Sequence, residues 1–228
     1  MKLFVIEGVD GAGKSTQIRL LRDFFAERGS RCEYLHFPRT DAPYFGELIA
    51  RFLRGEFGSI GDVDPYLVAM LYAGDRKDAS DLLRGWLSEG KIVLLDRYTY
   101  SNIAYQCAKL KDRDEQDKLM KWILRLEFDH FGIPRPDLNI YLDVPFAFTR
   151  NKLTEARSGD DRSYLNGTRD IHEESLDFQK KVRDLYIRVS QTDESLALID
   201  CCSKDDTILS PPEIFRQITD VLVTKNLI

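Results

Sequence analysis

The feature that most constrains this chain is a glycine-rich stretch at residues 7–16, EGVDGAGKST, which directly follows the apolar run LFVI at residues 3–6. Gly8 through Ser15 fits the pattern G-x-x-x-x-G-K-[ST], and a helical pattern of apolar residues begins directly after it. A strand, a glycine turn and a helix in this order let backbone N–H groups point inward at an anion, where the helix N-terminus adds partial positive charge. The stretch therefore predicts a phosphate-binding loop.

The residue types in this loop suit a nucleoside triphosphate. Lys14 can reach the β- and γ-phosphates, and the hydroxyl of Ser15 can be a ligand of Mg²⁺. The alternative interpretation is a glycine-rich turn that carries a surface lysine. The residues that we expect to surround the phosphates of ATP are Gly8, Gly11, Ala12, Gly13, Lys14, Ser15 and Thr16.

The rest of the chain alternates short apolar runs with longer amphipathic stretches. The apolar runs predict five strands, at residues 3–6, 32–37, 91–96, 138–144 and 196–200. Periodicity and capping signals predict helices at about 14–28, 44–54, 64–88, 99–110, 114–128, 145–155, 170–190 and 211–223. Buried strands separated by helices are typical of a parallel sheet covered on both faces. We expect one α/β domain over residues 1–228, a three-layer fold of the P-loop NTPase type with a five-stranded parallel sheet.

The composition excludes several other classes of protein. The formal net charge of −5 disfavours non-specific binding to nucleic acid. The four cysteines, Cys32, Cys107, Cys201 and Cys202, lack paired C-x-x-C spacing, which argues against a zinc site and fits reduced thiols in a cytoplasm. No apolar run approaches the roughly 18 residues that a membrane span needs. We expect a cytoplasmic protein with no nucleic-acid or membrane partner.

Three further stretches indicate a second site. They are FPR at residues 37–39, GDR at residues 74–76 and DRYTYSNIAYQ at residues 96–106. Ligands of open parallel sheets bind at the carboxyl ends of the strands, so the first and third stretches should converge near the glycine loop. The place of the second depends on how its helix packs. Each also has a purely structural alternative, namely a core phenylalanine, a solvated helix arginine and an Asp-Arg ion pair.

The phosphate loop alone leaves the reaction open, because GTPases, motors and small-molecule kinases share it. The chain lacks the N-K-x-D motif that a GTPase uses for guanine. A kinase needs an acceptor site, which the three stretches can supply. Two classes therefore remain, a kinase that acts on a nucleotide or a nucleoside and a nucleotide-binding regulator that transfers nothing.

The four stretches EGVDGAGKST, FPR, GDR and DRYTYSNIAYQ, in this order and spacing, resemble those of thymidylate kinases. Residues 161–186 also resemble that family's lid and the helix after it, and the likeness extends from residue 3 to about 200. The resemblance implies transfer of the γ-phosphoryl group of ATP to dTMP with Mg²⁺, giving dTDP in dTTP biosynthesis. It also implies a homodimer, to which the predicted helices at 64–88 and 99–110 could contribute apolar faces.

The resemblance assigns a role to each residue of the base and sugar site. Phe37 would stack on the thymine ring, an interaction worth about 1–3 kcal/mol. Arg76 would donate to a thymine carbonyl, and the amides of Asn102 and Gln106 would contact the same base. Tyr105 would lie under the sugar and leave no room for a ribose 2′-hydroxyl.

The resemblance also assigns the charged residues. Arg39 and Arg97 would hold the phosphate of dTMP, because the guanidinium fork suits a dianion. Asp10 would either position Mg²⁺ or its water, or orient an arginine of the acceptor site. Asp96 ends an apolar strand, the usual place for a carboxylate that holds Mg²⁺. Glu173 matches an acidic residue of the family near the acceptor.

One cation must also reach the transferred phosphoryl group. In the family this arginine comes from the glycine loop or from the lid, and residue 11 is a glycine here. We therefore expect it from the lid segment at about 150–168, where the candidates are Arg157 and Arg162, preceded by Arg150 and Lys152.

Two remaining segments carry weaker signals. Residues 201–214 are expected to contact adenine through their backbone, with Ser203 and Lys204 nearest. Residues 109–127 are highly charged, match no motif and are interpreted as a solvated helix face.

Overall fold

The computed structural model describes residues 2–145, 147–149, 165, 170–172, 175–205 and 207–228. The predicted helix at 145–155 and the predicted lid fall largely outside this part of the chain. The residues with sequence-based predictions that lie outside it are Arg150, Lys152, Arg157, Arg162 and Glu173.

The described strands form a five-stranded parallel sheet in the order β2-β3-β1-β4-β5. Their bounds are β1 (Lys2–Glu7), β2 (Cys32–His36), β3 (Ile92–Asp96), β4 (Leu138–Asp143) and β5 (Leu196–Asp200). The five predicted strands and the parallel sheet are therefore confirmed. In the register, Ile6 and His36 both pair with Asp96. The carboxyl ends of β1, β2 and β3 consequently meet at one edge of the sheet.

Helices cover both faces of this sheet, as the side chains of β1 show. Phe4 and Ile6 belong to one apolar core cluster, whereas Leu3 and Val5 belong to another, because successive side chains of a strand point to opposite faces. The helices are α1 (Lys14–Glu27), α2 (Phe45–Leu53), α3 (Pro65–Asp78), α4 (Ser80–Ser88), α5 (Thr99–Cys107), α6 (Arg113–Leu124), α7 (Leu176–Ser190) and α8 (Pro211–Thr224). A π-helical segment, Arg125–His130, continues α6.

Three predicted helix bounds are wrong, two of them for identifiable local reasons. The predicted helix at 64–88 is two helices that meet at Ala79, where the hydroxyl of Ser80 donates to the carbonyl oxygen of Lys77 at 2.7 Å. Such side-chain bonds compete with the regular helical pattern. The helix predicted from residue 170 begins only at Leu176, because the Ser175 hydroxyl caps it by accepting from a backbone N–H. The helix predicted to reach residue 110 ends at 107.

The charged segment at 109–127 is not simply a solvated helix face. Leu119 and Ile123 of α6 are fully buried in the larger core cluster. Glu127, in the π-helical segment, is also fully buried. Lys109, at the other end, has a buried Nζ with no hydrogen-bond partner among the described residues. The burial of Lys109 and Glu127 could not be predicted from the sequence, because lysine and glutamate side chains are seldom buried.

The buried amine of Lys109 makes stability depend on pH. Its Nζ lies 4.7 Å from the centre of the Phe52 ring, and burial lowers the pKa of Lys109 to about 7. An unfolded lysine has a pKa of about 10.4, so between these values the unfolded chain binds the extra proton and stability rises with pH.

We expect the free energy of unfolding of the wild type to rise by about 2 kcal/mol more from pH 7 to pH 9 than that of Lys109→Met. Urea unfolding at both pH values measures this difference. Lys118→Met is the matched control, because Lys118 is exposed and pairs with Glu115 of the same helix. The same pH dependence in Lys109→Met and the wild type would contradict the prediction.

Candidate active site

The glycine loop has the geometry of an anion cradle. Gly11 and Gly13 both have a φ of 80°, in the left-handed region that favours glycine, and Gly13 caps α1. The Nζ of Lys14 lies 3.4 Å from the carbonyl oxygens of Gly8 and Val9. The ammonium group therefore lies within the loop at the carboxyl end of β1.

A cavity of about 950 Å³ opens beside the loop, bordered by β2, β3, α3 and α5. The structure brings to the wall of this cavity the seven residues that the resemblance assigns to the base, sugar and phosphate of the acceptor. They are Phe37, Arg39, Arg76, Arg97, Asn102, Tyr105 and Gln106. Asp10, Ser15 and Asp96 line the same cavity, so it extends from the phosphate loop to the base end of the predicted acceptor site.

Asp10 links the loop to the cavity. Its Oδ1 accepts from Nη2 of Arg97 at 2.7 Å, and its Oδ2 accepts from the hydroxyl of Tyr105 at 2.8 Å. Gln179 of α7, which was not predicted from the sequence, also donates to Oδ2 at 3.3 Å. Burial alone would lower the pKa of Arg97, but nearby groups, among them Asp10, raise it well above its ordinary value. Of the two roles left open for Asp10, these contacts favour orienting an arginine.

Glu7 holds the same arginine from the other side. Arg97 has a φ of 67°, which is unusual for a residue other than glycine, and the next backbone N–H, of Tyr98, donates to Oε1 of Glu7 at 2.9 Å. The Ser101 hydroxyl donates to Oε2 of Glu7 at 2.5 Å and accepts from Nη1 of Arg97 at 3.2 Å. The fully buried carboxylate, whose pKa burial raises, therefore supports both the backbone and the guanidinium of Arg97.

We expect Glu7→Gln to lower the free energy of unfolding by about 1–3 kcal/mol, because the new NH₂ group takes the place of a buried acceptor. Urea unfolding measures the loss. Glu33→Gln is the matched control, because Glu33 is a part-exposed strand residue paired with Lys91 and should lose only about 0–1 kcal/mol. Equal losses in the two variants would contradict a structural role for Glu7.

The far end of the cavity carries a second buried ion pair. Arg76 donates through Nε and Nη2 to Oε2 and Oε1 of Glu127, both at 2.6 Å. Burial alone would lower the pKa of Arg76, but the charge and hydrogen bonds of Glu127 raise it above its ordinary value. Glu127 was not predicted from the sequence, and no local signal could have revealed it, since its partner is 51 residues away.

Aromatic residues, among them Phe37 and Tyr72, line the cavity that Arg76 also lines. Phe37 is only 1% exposed, and its ring lies 5.7 Å from that of Tyr98, so it is a core residue as well as part of the cavity wall. Tyr72 is half-buried, lines the cavity and was missed. Its position four residues before Arg76 could have revealed it, because residues i and i+4 share a helix face.

Asp96 fits the Mg²⁺ role by its surroundings. Its Oδ1 is buried, has no hydrogen-bond partner in the described part of the chain and lies 4.0 Å from Nζ of Lys14. Burial alone would raise the pKa of Asp96, but Lys14 and His36 outweigh it and hold the pKa below its ordinary value. A charged, unpartnered oxygen beside the phosphate loop suits Mg²⁺, which takes one or two protein oxygens and completes its shell with water and phosphate.

Ser203 and Lys204 lie apart from the cavity, in the loop between β5 and α8. The Ser203 hydroxyl lies 2.8 Å from that of Thr207, within the loop itself. Nε2 of Gln17 donates to the carbonyl oxygen of Pro211 at 3.1 Å, which places the end of this loop against α1. The start of α8 is thus next to the helix that follows the phosphate loop.

A parallel sheet, a glycine loop that opens a helix and an arginine-lined cavity joined to that loop define a protein of the P-loop NTPase class. A family model described as Thymidylate kinase matches residues 6–208. The chain therefore belongs to the thymidylate kinase family, which confirms the resemblance. No helix in the described part of the chain is long and apolar enough to cross a membrane.

Named relatives agree with this family. The chain is 32% identical over 188 residues to the thymidylate kinase of Mycobacterium tuberculosis (strain ATCC 25618 / H37Rv), covering 82% of this chain and 85% of the relative. It is 32% identical over 211 residues to a protein named "Probable thymidylate kinase" from Thermococcus kodakarensis, covering 90% and 91%. The solved thymidylate kinase of Candida albicans shares the fold, with a TM-score of 0.73 at 24% identity over 99% of this chain and 92% of that one.

Proposed function

We propose that this chain transfers the γ-phosphoryl group of ATP to dTMP, giving dTDP in dTTP biosynthesis, and that it uses Mg²⁺. The observation that carries the proposal is the ion pair of 2.7 Å between Asp10 of the phosphate loop and Arg97 of the cavity. It links the place for a triphosphate to the place for a second phosphate. Little covalent chemistry is asked of the protein in such a reaction, so positioning and charge neutralisation are sufficient.

On the acceptor side, Arg97 and Arg39 would hold the phosphate of dTMP. Arg39 is itself held by Asp75, whose Oδ1 accepts from Nε at 2.8 Å, and by Asp78 at 2.6 Å. Arg76, Asn102 and Gln106 would contact the base. A phosphate oxygen of dTMP attacks, and it is already ionised at neutral pH, so no protein base is required.

Tyr105 would lie beneath the sugar. Its ring is 6% exposed, and its hydroxyl is fixed on Asp10. A ring fixed at this wall would leave no space for a ribose 2′-hydroxyl. The half-buried ring of Tyr72 supports an aromatic contact with the base in addition to Phe37.

On the donor side, the loop from Gly8 to Thr16 would surround the phosphates, with Lys14 at the β- and γ-phosphates. Ser15 and Asp96 would hold Mg²⁺, which supplies charge neutralisation when bound. The loop at Ser203 and Lys204 would contact adenine. Arg157 or Arg162 would supply the lid cation that completes the site.

We also propose a cytoplasmic homodimer. On α3 and α4, Leu67 is 59% exposed, Met70 43% and Leu82 46%, which leaves apolar surface for a second copy. The contribution expected from the helix at 99–110 is not supported, because every residue of α5 is buried within the chain. Analytical ultracentrifugation at micromolar concentration tests this part of the proposal.

A coupled ADP-release assay tests the proposed function. The acceptors are dTMP, dUMP, CMP and thymidine, with a reaction lacking any acceptor as the blank. We expect turnover that depends on dTMP. Turnover with thymidine but not dTMP would instead favour a nucleoside kinase. ATP binding without acceptor-dependent turnover would favour a regulator.

A further inference from the structure

The carboxylate of Glu127 is fully buried behind the cavity wall, and its oxygens accept hydrogen bonds from three side chains. Besides the two bonds from Arg76, Oε2 accepts from the Thr99 hydroxyl at 2.8 Å and Oε1 accepts from Nδ2 of Asn102 at 3.0 Å. Arg76 and Asn102 are two of the residues assigned to the base. A single buried carboxylate therefore holds both of them, although it does not itself line the cavity.

These bonds decide which way the amide of Asn102 faces. Its Nδ2 donates to the backbone carbonyl oxygen of Ala69 at 3.0 Å as well as to Glu127. Both partners are acceptors, so only the NH₂ group of the amide can face them. The other atom, Oδ1, is buried and has no hydrogen-bond partner in the described part of the chain. Asn102 lines the cavity, so Oδ1 is the atom of its amide that remains to accept a hydrogen bond there.

Arg76 offers the opposite polarity. A guanidinium has only donors, and two of them are fixed on Glu127, which sets the plane and direction of those that remain. The cavity wall therefore carries one fixed donor beside one fixed acceptor. The base edge that complements this pair has an acceptor next to a donor.

Pyrimidines differ in this edge. Thymine and uracil carry a 4-carbonyl acceptor next to the N3–H donor, whereas cytosine carries a 4-amino donor next to the N3 acceptor. Cytosine would oppose donor to donor at Arg76 and acceptor to acceptor at Asn102. A buried polar group left unpaired by the wrong ligand costs about 1–3 kcal/mol.

We propose that Glu127 is a positioning residue that makes the acceptor site select 4-carbonyl pyrimidines over 4-amino pyrimidines, by fixing Arg76 as a donor and Asn102 as an acceptor. The inference rests on the proposed function, because it needs the base to meet these two side chains. Glutamine cannot replace Glu127 in this role. Each carboxylate oxygen accepts from one N–H of Arg76, so an NH₂ group in place of either oxygen would oppose an arginine donor.

The test is steady-state turnover of Glu127→Gln with dTMP, dUMP and dCMP. We expect the ratio of kcat/KM for dTMP to that for dCMP to fall by about tenfold to a hundredfold. The reason is that the variant weakens the hydrogen bonds of Arg76 and Asn102 to thymine, which cytosine cannot form. The ratio for dTMP to dUMP should stay within about twofold, since these bases share the same edge. A merely structural role would lower all three rates together and leave both ratios unchanged, which would overturn the inference.

The matched control is Asp129→Asn. Asp129 lies in the same π-helical segment, is 64% exposed and, among the described residues, forms an ion pair with Arg135 alone. Both ratios of kcat/KM, for dTMP to dCMP and for dTMP to dUMP, should be the same in this variant as in the wild type. An equal fall in the dTMP to dCMP ratio in this variant would assign the effect to the segment rather than to the buried carboxylate, and would also overturn the inference.

A second measurement needs no substitution and so does not depend on the folding of a variant. Binding of 3-methyl-dTMP to the wild type, measured by calorimetry, should be weaker than that of dTMP by about tenfold or more, because the methyl group replaces the donor that Asn102 accepts. Equal affinity would overturn the inference. Failure of the wild type to turn over dTMP would contradict the proposed function instead, so the two failures can be told apart.

Discussion

Replacing Arg157 with alanine is expected to lower kcat at least a hundredfold while the protein remains folded. An arginine that reaches the transferred phosphoryl group is worth about 10³–10⁵ in rate. A solvated arginine in a surface ion pair contributes only about 0–1 kcal/mol. The loss of kcat therefore distinguishes a catalytic lid arginine from a solvated one. Stopped assays of ADP formation at saturating ATP and dTMP measure kcat directly.

The geometry of the phosphate loop supports an arginine from elsewhere. Gly11 has a φ of 80°, a conformation that an arginine side chain would occupy only with strain. The guanidinium of Arg97 forms an ion pair with Asp10, and that of Arg39 forms one with Asp75. Arg162→Ala is the companion variant, because Arg162 is the other arginine predicted for this role. Losses of less than about threefold in both variants would contradict a lid-supplied cation.

Replacing Arg97 with alanine is expected to lower kcat/KM for dTMP by about 10²–10³-fold, the usual effect of removing one preorganised charge from a site. The KM for ATP should change by less than about threefold, because Arg97 lies on the acceptor side of Asp10. Since the guanidinium also neutralises the region around Asp10 and Glu7, Arg97→Lys tests the role with the charge retained. It should lose about tenfold or more, because an ammonium cannot form the two-pronged contact.

Arg135→Ala is the matched control for Arg97. Arg135 is 66% exposed, pairs with Asp129, lies 4.3 Å over the Phe128 ring and does not line the cavity. It should retain wild-type kinetics. A similar loss in both variants, or a rise in the KM for ATP equal to that for dTMP, would contradict the placement of Arg97 at the acceptor phosphate.

Much of the fold could be predicted from local patterns. The strands are short apolar runs, and α3 begins where Asp64 precedes Pro65, with Oδ1 of Asp64 accepting from a backbone N–H. What failed depended on single side-chain bonds, such as the one from Ser80 that accompanies the break at Ala79. Such a bond competes with the backbone hydrogen bonds of the helix, and the spacing of apolar residues gives no indication of it.

The residues of the candidate site likewise include some that could be predicted from the sequence and some that could not. Residues within motifs, such as Asp10, Arg76 and Arg97, could be predicted because these motifs resemble those of a known family, and all three line the cavity. Glu127 and Gln179 could not, because their roles arise only when distant segments meet in the folded chain. Glu127 is charged and lies in a segment rich in charge, so burial was the less expected outcome for it.

The central claim is that dTMP and ATP bind face to face across Asp10 and Arg97. A crystal structure with dTMP and a non-hydrolysable ATP analogue tests it most directly. We expect the dTMP phosphate against Arg97, with its attacking oxygen about 3–3.5 Å from the γ-phosphorus. A dTMP phosphate bound away from Arg97 and out of reach of the triphosphate would contradict the account.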